Sequence, residues 1–192
     1  MADNPALLPT RFPAPFPDEY VLLERHGMEL SLRSPSSGRR CSGKGRVYLS
    51  DVRMVFVFDG GSVRAPDGGH ALEAFDIPLL YIGSERFNQP IFGCNNVSGT
   101  VRRVVSSQPQ PADYYDFELY FLQGGVGTFL PIFYNVLELV RIEGSQVSWF
   151  ATGTQRVLIV YAYIIYVCVC ERERERERAS RSLIHQPQCR RL

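Results

Sequence analysis

The sequence predicts a mainly β domain of six or seven antiparallel strands, closed by one C-terminal amphipathic α-helix. Three observations carry this. Residues 27–33 alternate Met28, Leu30 and Leu32 with Glu29, Ser31 and Arg33, the period of a half-buried strand. Met54-Val55-Phe56-Val57-Phe58 is apolar on both faces, as a central strand is. Ile132, Val136, Leu137 and Val140 recur at helical spacing with Phe133 beside them, while Glu138 and Arg141 lie on the other side. A lone amphipathic helix after a meander must bury its stripe against the sheets or plug the mouth of a barrel.

The elements follow in order. Pro5, Pro9, Pro13, Pro15 and Pro17 exclude a helix or central strand, so residues 1–19 read as a proline-rich flexible arm. After the first strand, residues 34–44 read as a polar loop. Residues 45–50 and 53–59 are the next strands, with a tight connection between them. Asp59-Gly60-Gly61 and Pro66-Asp67-Gly68-Gly69 are turn chemistry. Residues 73–78 and 82–87 are short candidate strands. Pro90, Gly93, Asn95 and Asn96 make residues 88–96 a turn, and a strand leaves through Val97, Gly99 and Val101 to about residue 105. Residues 106–113 read as a polar loop and 116–122 as an alternating strand. Gly124-Gly125 reads as a hairpin turn into a strand over 126–130. Pro131 then opens the helix, where its missing N–H would be unpaired anyway, and the helix ends near Glu143-Gly144. The folded domain so read spans residues 20–145.

Composition bounds the function. The 192 residues carry a net charge of +1. Residues 1–152 hold 13 Lys and Arg against 16 Asp and Glu, a net of −3, and residues 153–192 hold 8 Arg against 4 Glu, a net of +4. The globular part therefore lacks the basic footprint of a nucleic-acid binder, and no sequence-specific nucleic-acid binding is expected. Five cysteines (Cys41, Cys94, Cys168, Cys170, Cys189) include no Cys-x-x-Cys pair, and His26, His70 and His185 are far apart in sequence, so zinc spacing is absent. The odd cysteine count and the lack of a signal peptide point to a reducing compartment. Asn96-Val97-Ser98 is a formal glycosylation sequon, expected to stay an unmodified turn.

Residues 163–178 run Tyr-Ile-Ile-Tyr-Val-Cys-Val-Cys and then four Glu-Arg pairs. Val-Cys is what GTG-TGT encodes and Glu-Arg what GAG-AGA encodes, so the run reads as translated dinucleotide repeat, an intron or frameshift carried into the gene. Residues 146–192 are accordingly expected to be a disordered tail. The apolar run 157–170 is 14 residues, short of the ~20 that span a bilayer.

No Ser/His/Asp or Cys/His set and no phosphate-cradling Gly-x-x-x-x-Gly-Lys is present, so no enzyme activity, cofactor or metal is expected. One segment has the chemistry of a ligand site. Arg39, Arg40, Lys44 and Arg46 cluster, with Arg33 just upstream, in the connection between the first two strands. Clustered cations beside free loop amides can hold phosphate.

Residues 88–101 (Asn-Gln-Pro-Ile-Phe-Gly-Cys-Asn-Asn-Val-Ser-Gly-Thr-Val) resemble the Gln-Pro-hydrophobic-Phe-Gly-Ala-Asn…Gly-Thr-Val signature of the GRAM domain in the WW-domain-binding protein 2 family. Gln89, Pro90, Phe92, Gly93 and Gly99 carry the match. Residues 45–56 resemble the family's Gly-x-Val-Tyr-Leu-Thr…Arg-hydrophobic-hydrophobic-Phe strand pair. The later strand, glycine hairpin and helix come in the family's order, so the resemblance covers roughly residues 20–142. It implies a pleckstrin-homology-like fold, two packed antiparallel sheets with a capping helix. It also implies a non-enzymatic adaptor of the nucleus and cytoplasm, coactivator-like and chromatin-associated, recruiting WW-domain proteins through Pro-Pro-x-Tyr motifs. This chain departs there, because it contains no Pro-Pro dipeptide. In pleckstrin-homology folds the loop between the first two strands is the usual phosphoinositide contact. The alternative implied is thus a peripheral phosphoinositide-binding module using Arg39, Arg40, Lys44 and Arg46.

Overall fold

A computed structural model of the chain describes residues 3–102 and 114–145. The expected strand end at 103–105, the polar loop 106–113 and the repeat-like tail 146–192 lie outside the described residues. The elements are β1 (Val21–Arg33), β2 (Arg40–Ser50), β3 (Arg53–Phe58), β4 (Val63–Arg64), β5 (Ala71–Leu72), β6 (Ala74–Pro78), a 3-10 turn (Leu79–Tyr81), β7 (Ile82–Asn88), β8 (Asn96–Arg102), β9 (Tyr114–Phe121) and α1 (Val126–Ser145).

Seven strands form one antiparallel sheet in the order β6-β3-β2-β1-β9-β8-β7, and β4 pairs with β5 in a small hairpin. The sheet is curled. Phe75 on β6 and Tyr115 on β9 have ring centroids 5.8 Å apart, whereas a flat sheet would hold their strands four spacings, about 19 Å, apart. Curling folds the two halves of the sheet onto each other, so the two sheets that the resemblance implied are two halves of one continuous sheet. Inside lie Leu30, Leu32, Val47, Leu49, Met54, Phe56, Ile77, Val97, Val101, Phe117 and Leu119, all buried. The fold class is as expected in being mainly β and antiparallel, with one C-terminal helix among the described residues.

The helix differs from expectation. Residues 126–130 are not a strand but the first turn of α1, and Pro131 lies inside it. Gly124-Gly125 is therefore a strand-to-helix turn, and the backbone ladder starts where the Phe129 amide donates to the Gly125 carbonyl. Pro131 forgoes only a bond to the Gly127 carbonyl, and Gly127 is exposed with open space beside it. The missing bond falls where water can replace it. The earlier start puts Phe129 at the head of the apolar stripe. Phe129, Phe133, Val136 and Leu137 are buried, and Ile132 and Val140 pack half-buried at its margin. Phe129 stacks on Phe133 at 5.7 Å and meets Phe121 edge-on at 5.3 Å.

β1 begins at Val21, six residues before the alternation visible in the sequence. Register shifts at Val21/Leu23 and Arg25/Met28 break the period there. β2 begins at Arg40, leaving only Ser34–Arg39 to connect it to β1, so most of the polar stretch 34–44 is strand.

The proline-rich segment does not hang free. From residue 3 onward it lies as a strap across the outer face of β2, β3 and β6. Asn4 donates its amide N–H to the Ala74 carbonyl, its Oδ1 accepts from the Glu73 and Ala74 amides, and its Nδ2 donates to the Ala71 carbonyl. Pro5 and Pro13 are buried. Leu7 and Phe12 pack on Tyr48, Val55, Val57 and Ala74, with Phe12 edge-on to Tyr48 at 5.0 Å. This is why β3 is apolar on both faces: one faces the core and the other faces the strap.

The end of the strap is clipped by a buried charge group. Arg53, 4% exposed, donates from Nε and Nη2 to the two oxygens of Glu19 at 2.7 and 2.9 Å, and from Nη2 to the Ala14 carbonyl at 2.8 Å. The ring of Phe16 lies 3.9 Å beneath the guanidinium, and the Ser50 hydroxyl donates to Glu19 at 2.7 Å. Asp76 Oδ2 stands 3.7 Å from Arg53, and Asp76 Oδ1 is buried without a hydrogen-bond partner. Burial alone would raise the Glu19 carboxyl, but the bonds from Arg53, the Phe16 amide and Ser50 outweigh it and hold Glu19 below the usual range. Asp76 goes the other way: desolvation pushes it up, against the partial attraction of Arg53.

Candidate functional site

Strand geometry disperses the expected cation cluster. Arg40, Lys44 and Arg46 alternate with the inward Cys41, Gly45 and Val47, so all three stand on the outer face of β2. At ~3.3 Å per residue, Arg40 and Arg46 are about 20 Å apart along the strand, too far for one phosphate. Each cation has its own neighbour. Arg39, the last connecting residue, lies over Gly68 in the β4–β5 turn. Arg40 Nη1 is 3.6 Å from Glu118 on β9. Lys44 is directly opposite Glu29 in the register. Arg46 sits between Glu24 at 3.8 Å and Asp59 at 3.5 Å. The hydroxyl of Tyr48 and the Asp59 carboxylate raise the Arg46 pKa further. The corrected location is therefore a strand face rather than a loop, with Arg39 separated from the other three.

The signature residues fall in two places. Gln89, Pro90, Phe92 and Gly93 form the tip between β7 and β8, and Gly99 lies within β8. The tip is braced at its base, where Asn88 Nδ2 donates to Asn96 Oδ1 at 2.8 Å and to Ser98 Oγ at 3.0 Å. Gly93 takes a φ of 119°, which a residue with a Cβ avoids. Gly99 is needed for closeness: a Cβ there would stand 2.9 Å from the Phe117 ring and 3.1 Å from the Gly83 carbonyl. Ile91 and Phe92 project from the tip at 92% and 93% exposure. Residues 87–101 carry no charged side chain, so the tip is an uncharged apolar point on a constrained backbone. Pattern reading located this turn but not its exposed apolar pair. The available signal was a Phe held between Pro90 and Gly93, where no strand could bury it.

Both described histidines pair locally. His26 contacts Glu24 and His70 contacts Asp3, each at 3.1 Å. Burial pushes the Cys41 thiol up to about 11, far from a reactive thiolate. Among the described residues no group of three or more His, Cys, Asp or Glu could hold a metal ion, and no helix is long and apolar enough to cross a membrane.

No known family's sequence model matches the chain, and no curated protein matches it. Among solved structures it is similar to one described as "Vps36 N-terminal PH domain", at a TM-score of 0.48 and 12% identity, covering 71% of this chain and 92% of that one. It is also similar to a chain of "The 8S snRNP Assembly Intermediate", at a TM-score of 0.42 and 10% identity, covering 69% of this chain and 89% of that one.

Proposed function

We propose that this protein is a non-enzymatic docking adaptor of the GRAM kind, working in the nucleus and cytoplasm, and that it engages a protein partner through the β7–β8 tip. The Ile91–Phe92 pair carries this reading. Large apolar side chains that stay over nine-tenths exposed on a braced backbone suit insertion into an apolar pocket of a partner. Burying each is worth about 1.5–3 kcal/mol before association costs, which suits reversible recruitment. The coactivator-like role is the one the GRAM resemblance implies. WW-domain recruitment is not included, because the chain has no Pro-Pro dipeptide.

A photo-crosslinking residue at position 92 of the full chain is expected to capture a discrete protein partner in cells. Ile91→Ser with Phe92→Ser should abolish co-purification of that partner while leaving the thermal midpoint unchanged. Crosslinks to lipid alone, or a partner retained by the double variant, would overturn the adaptor reading.

The second reading, attachment to phosphoinositide membranes, is supported by the exposure of Arg39, Arg40 and Lys44. Each cation near an anionic bilayer is worth about 1 kcal/mol, and the binding would fade as salt shortens the Debye length. Its test is vesicle sedimentation with Arg39, Arg40, Lys44 and Arg46 all replaced by Ser.

A further inference from the structure

Protein kinases take their substrates as short extended segments. The basophilic ones read an arginine three positions before the acceptor hydroxyl with carboxylates of their own. Among the described residues two serines meet that pattern: Ser36, behind Arg33, and Ser42, behind Arg39 and Arg40. In the bare sequence Ser42 is the better match, because it has a second arginine one position nearer. The fold reverses the order.

Ser42 lies inside β2. It stands opposite Ser31 in a register that runs unbroken from Met28 and Gly45 to Arg33 and Arg40. Its neighbours are held as well. Cys41 packs against the core, and Gly43 is so close to the next strands that a Cβ there would stand 2.7 Å from Phe58 and 2.9 Å from Val63. The Ser42 side chain is exposed, but its backbone is paired. To enter a kinase groove this stretch would have to leave both β1 and the core.

Ser36 lies in the connection Ser34–Arg39, between the end of β1 and the start of β2. Residues 36–40 form one exposed run. Gly38 turns the chain with a φ of 69°, and a Cβ on it would meet nothing within 4 Å, so the turn faces open space. Little holds it shut: the Gly38 amide donates to the Ser34 carbonyl at 2.9 Å, and the Ser36 and Ser34 hydroxyls meet at 3.0 Å. Arg33 stands exposed at the end of β1.

The other two serines of the connection are committed elsewhere. Ser34 is 3% exposed. Ser37 donates its hydroxyl to the Pro66 carbonyl at 2.9 Å and accepts from the Arg39 amide at 3.3 Å, which ties the connection to the β4–β5 hairpin. The Ser36 hydroxyl bonds only within its own turn.

We propose that Ser36 is a phosphorylation site for a kinase that reads Arg33. Ser36 Oγ attacks the γ-phosphorus of a nucleoside triphosphate. The new O–P bond forms as the bond to the nucleoside diphosphate breaks, and the hydroxyl proton passes to the kinase's catalytic carboxylate. The product adds a charge of about −1.5 to −2 at neutral pH to a stretch where Arg33, Arg39 and Arg40 are the charged residues. Modification thus turns a strongly cationic connection into a nearly balanced one. The site makes no use of the β7–β8 tip, so it stands or falls independently of the docking reading.

The test is to incubate the full chain with a purified basophilic kinase and ATP, digest with trypsin and locate the phosphate by mass spectrometry. Cleavage after Arg33, Arg39, Arg40 and Lys44 leaves Ser36 in Ser34–Arg39 and Ser42 in Cys41–Lys44, so the two candidates separate by mass. Phosphate is expected on Ser34–Arg39, at Ser36, and not on Cys41–Lys44. A synthetic peptide of residues 30–46 should be phosphorylated at Ser42 as well, since the strand pairing that protects it is gone. Ser36→Ala should remove the label from the full chain. Arg33→Ala should slow labelling about tenfold or more, the size of one lost charge-assisted contact, without moving the melting curve, whereas Arg39→Ala should leave the rate nearly unchanged. Phosphate on Cys41–Lys44 of the full chain, phosphate at Ser37 in place of Ser36, an unlabelled Ser34–Arg39 fragment, or equal rates in Arg33→Ala would each overturn the proposal.

Discussion

Arg53→Met should cost the domain about 3–5 kcal/mol, the usual penalty for removing one partner of a buried ion pair. The loss follows from what stays behind. Glu19, with 3% of its side chain exposed, would keep the Ser50 hydroxyl but lose its cation, and Asp76, already carrying one unpartnered oxygen, would lose the countercharge beside it. The Ala14 carbonyl and the Phe16 ring would lose their contacts too. Guanidinium unfolding followed by circular dichroism measures it, and a loss under 1 kcal/mol would mean that water already reaches the group. The pH dependence gives a second check. The Glu19 pKa is depressed in the folded state, so its contribution is present above the unfolded carboxylate pKa near 4.3 and is lost as pH falls through the folded value. Asp76 has a raised folded pKa, so its ionised form costs stability at neutral pH, and that cost is relieved as it takes up a proton on acidification. Without Arg53 both carboxyls take up a proton more readily in the folded state, so the cost of Arg53→Met should be largest at neutral pH and should shrink as the pH falls.

Val136→Asp should be of similar size or larger. Val136 is 2% exposed, on the face of α1 that also carries Phe129, Phe133 and Leu137. A carboxylate there has no described partner and must stay buried, be protonated, or pull the helix away, each costing at least several kcal/mol. The thermal midpoint of the full chain should fall steeply. Phe133→Ala, which only empties volume, should cost about 3–5 kcal/mol. A midpoint unchanged in Val136→Asp would place this helix face in water and refute the buried stripe.

Strands whose pattern reflects one dry face and one wet face were readable from residues alone. β9 alternates without a break, and β6 and β7 fell within a residue or two of expectation. The helix stripe was read correctly from Ile132 onward, but its first turn was not, because Gly124, Gly125, Gly127 and Pro131 all argue locally against helix. Only the burial of Phe129 overrides them. The cation cluster was misplaced for a related reason. Arg40, Ser42 and Lys44 read as loop because the inward positions among them are Cys41, Gly43 and Gly45, so hydrophobic alternation carries little signal there. The contrast between Ser36 and Ser42 could not be read at all, since it depends on where β1 ends and β2 begins. The strap was hidden because its prolines signal only what it cannot become.

The strap also bears on how this protein avoids sticking to itself. β6 is a terminal strand of the sheet, and such a strand offers unpaired amides and carbonyls to any passing chain. Here Asn4 occupies the Glu73 and Ala74 amides and the Ala74 carbonyl, and residue 3 bridges Phe75. The molecule thus satisfies its own open border with residues seventy positions away, and shields Tyr48, Val55, Val57 and Ala74 in the same stroke. A chain trimmed to begin at Ala14 would retain the Glu19–Arg53 clip, every strand and the helix yet expose a bare border beside an oily surface. Light scattering should find it associating through that border, and an affinity tag fused ahead of residue 3 would leave it guarded.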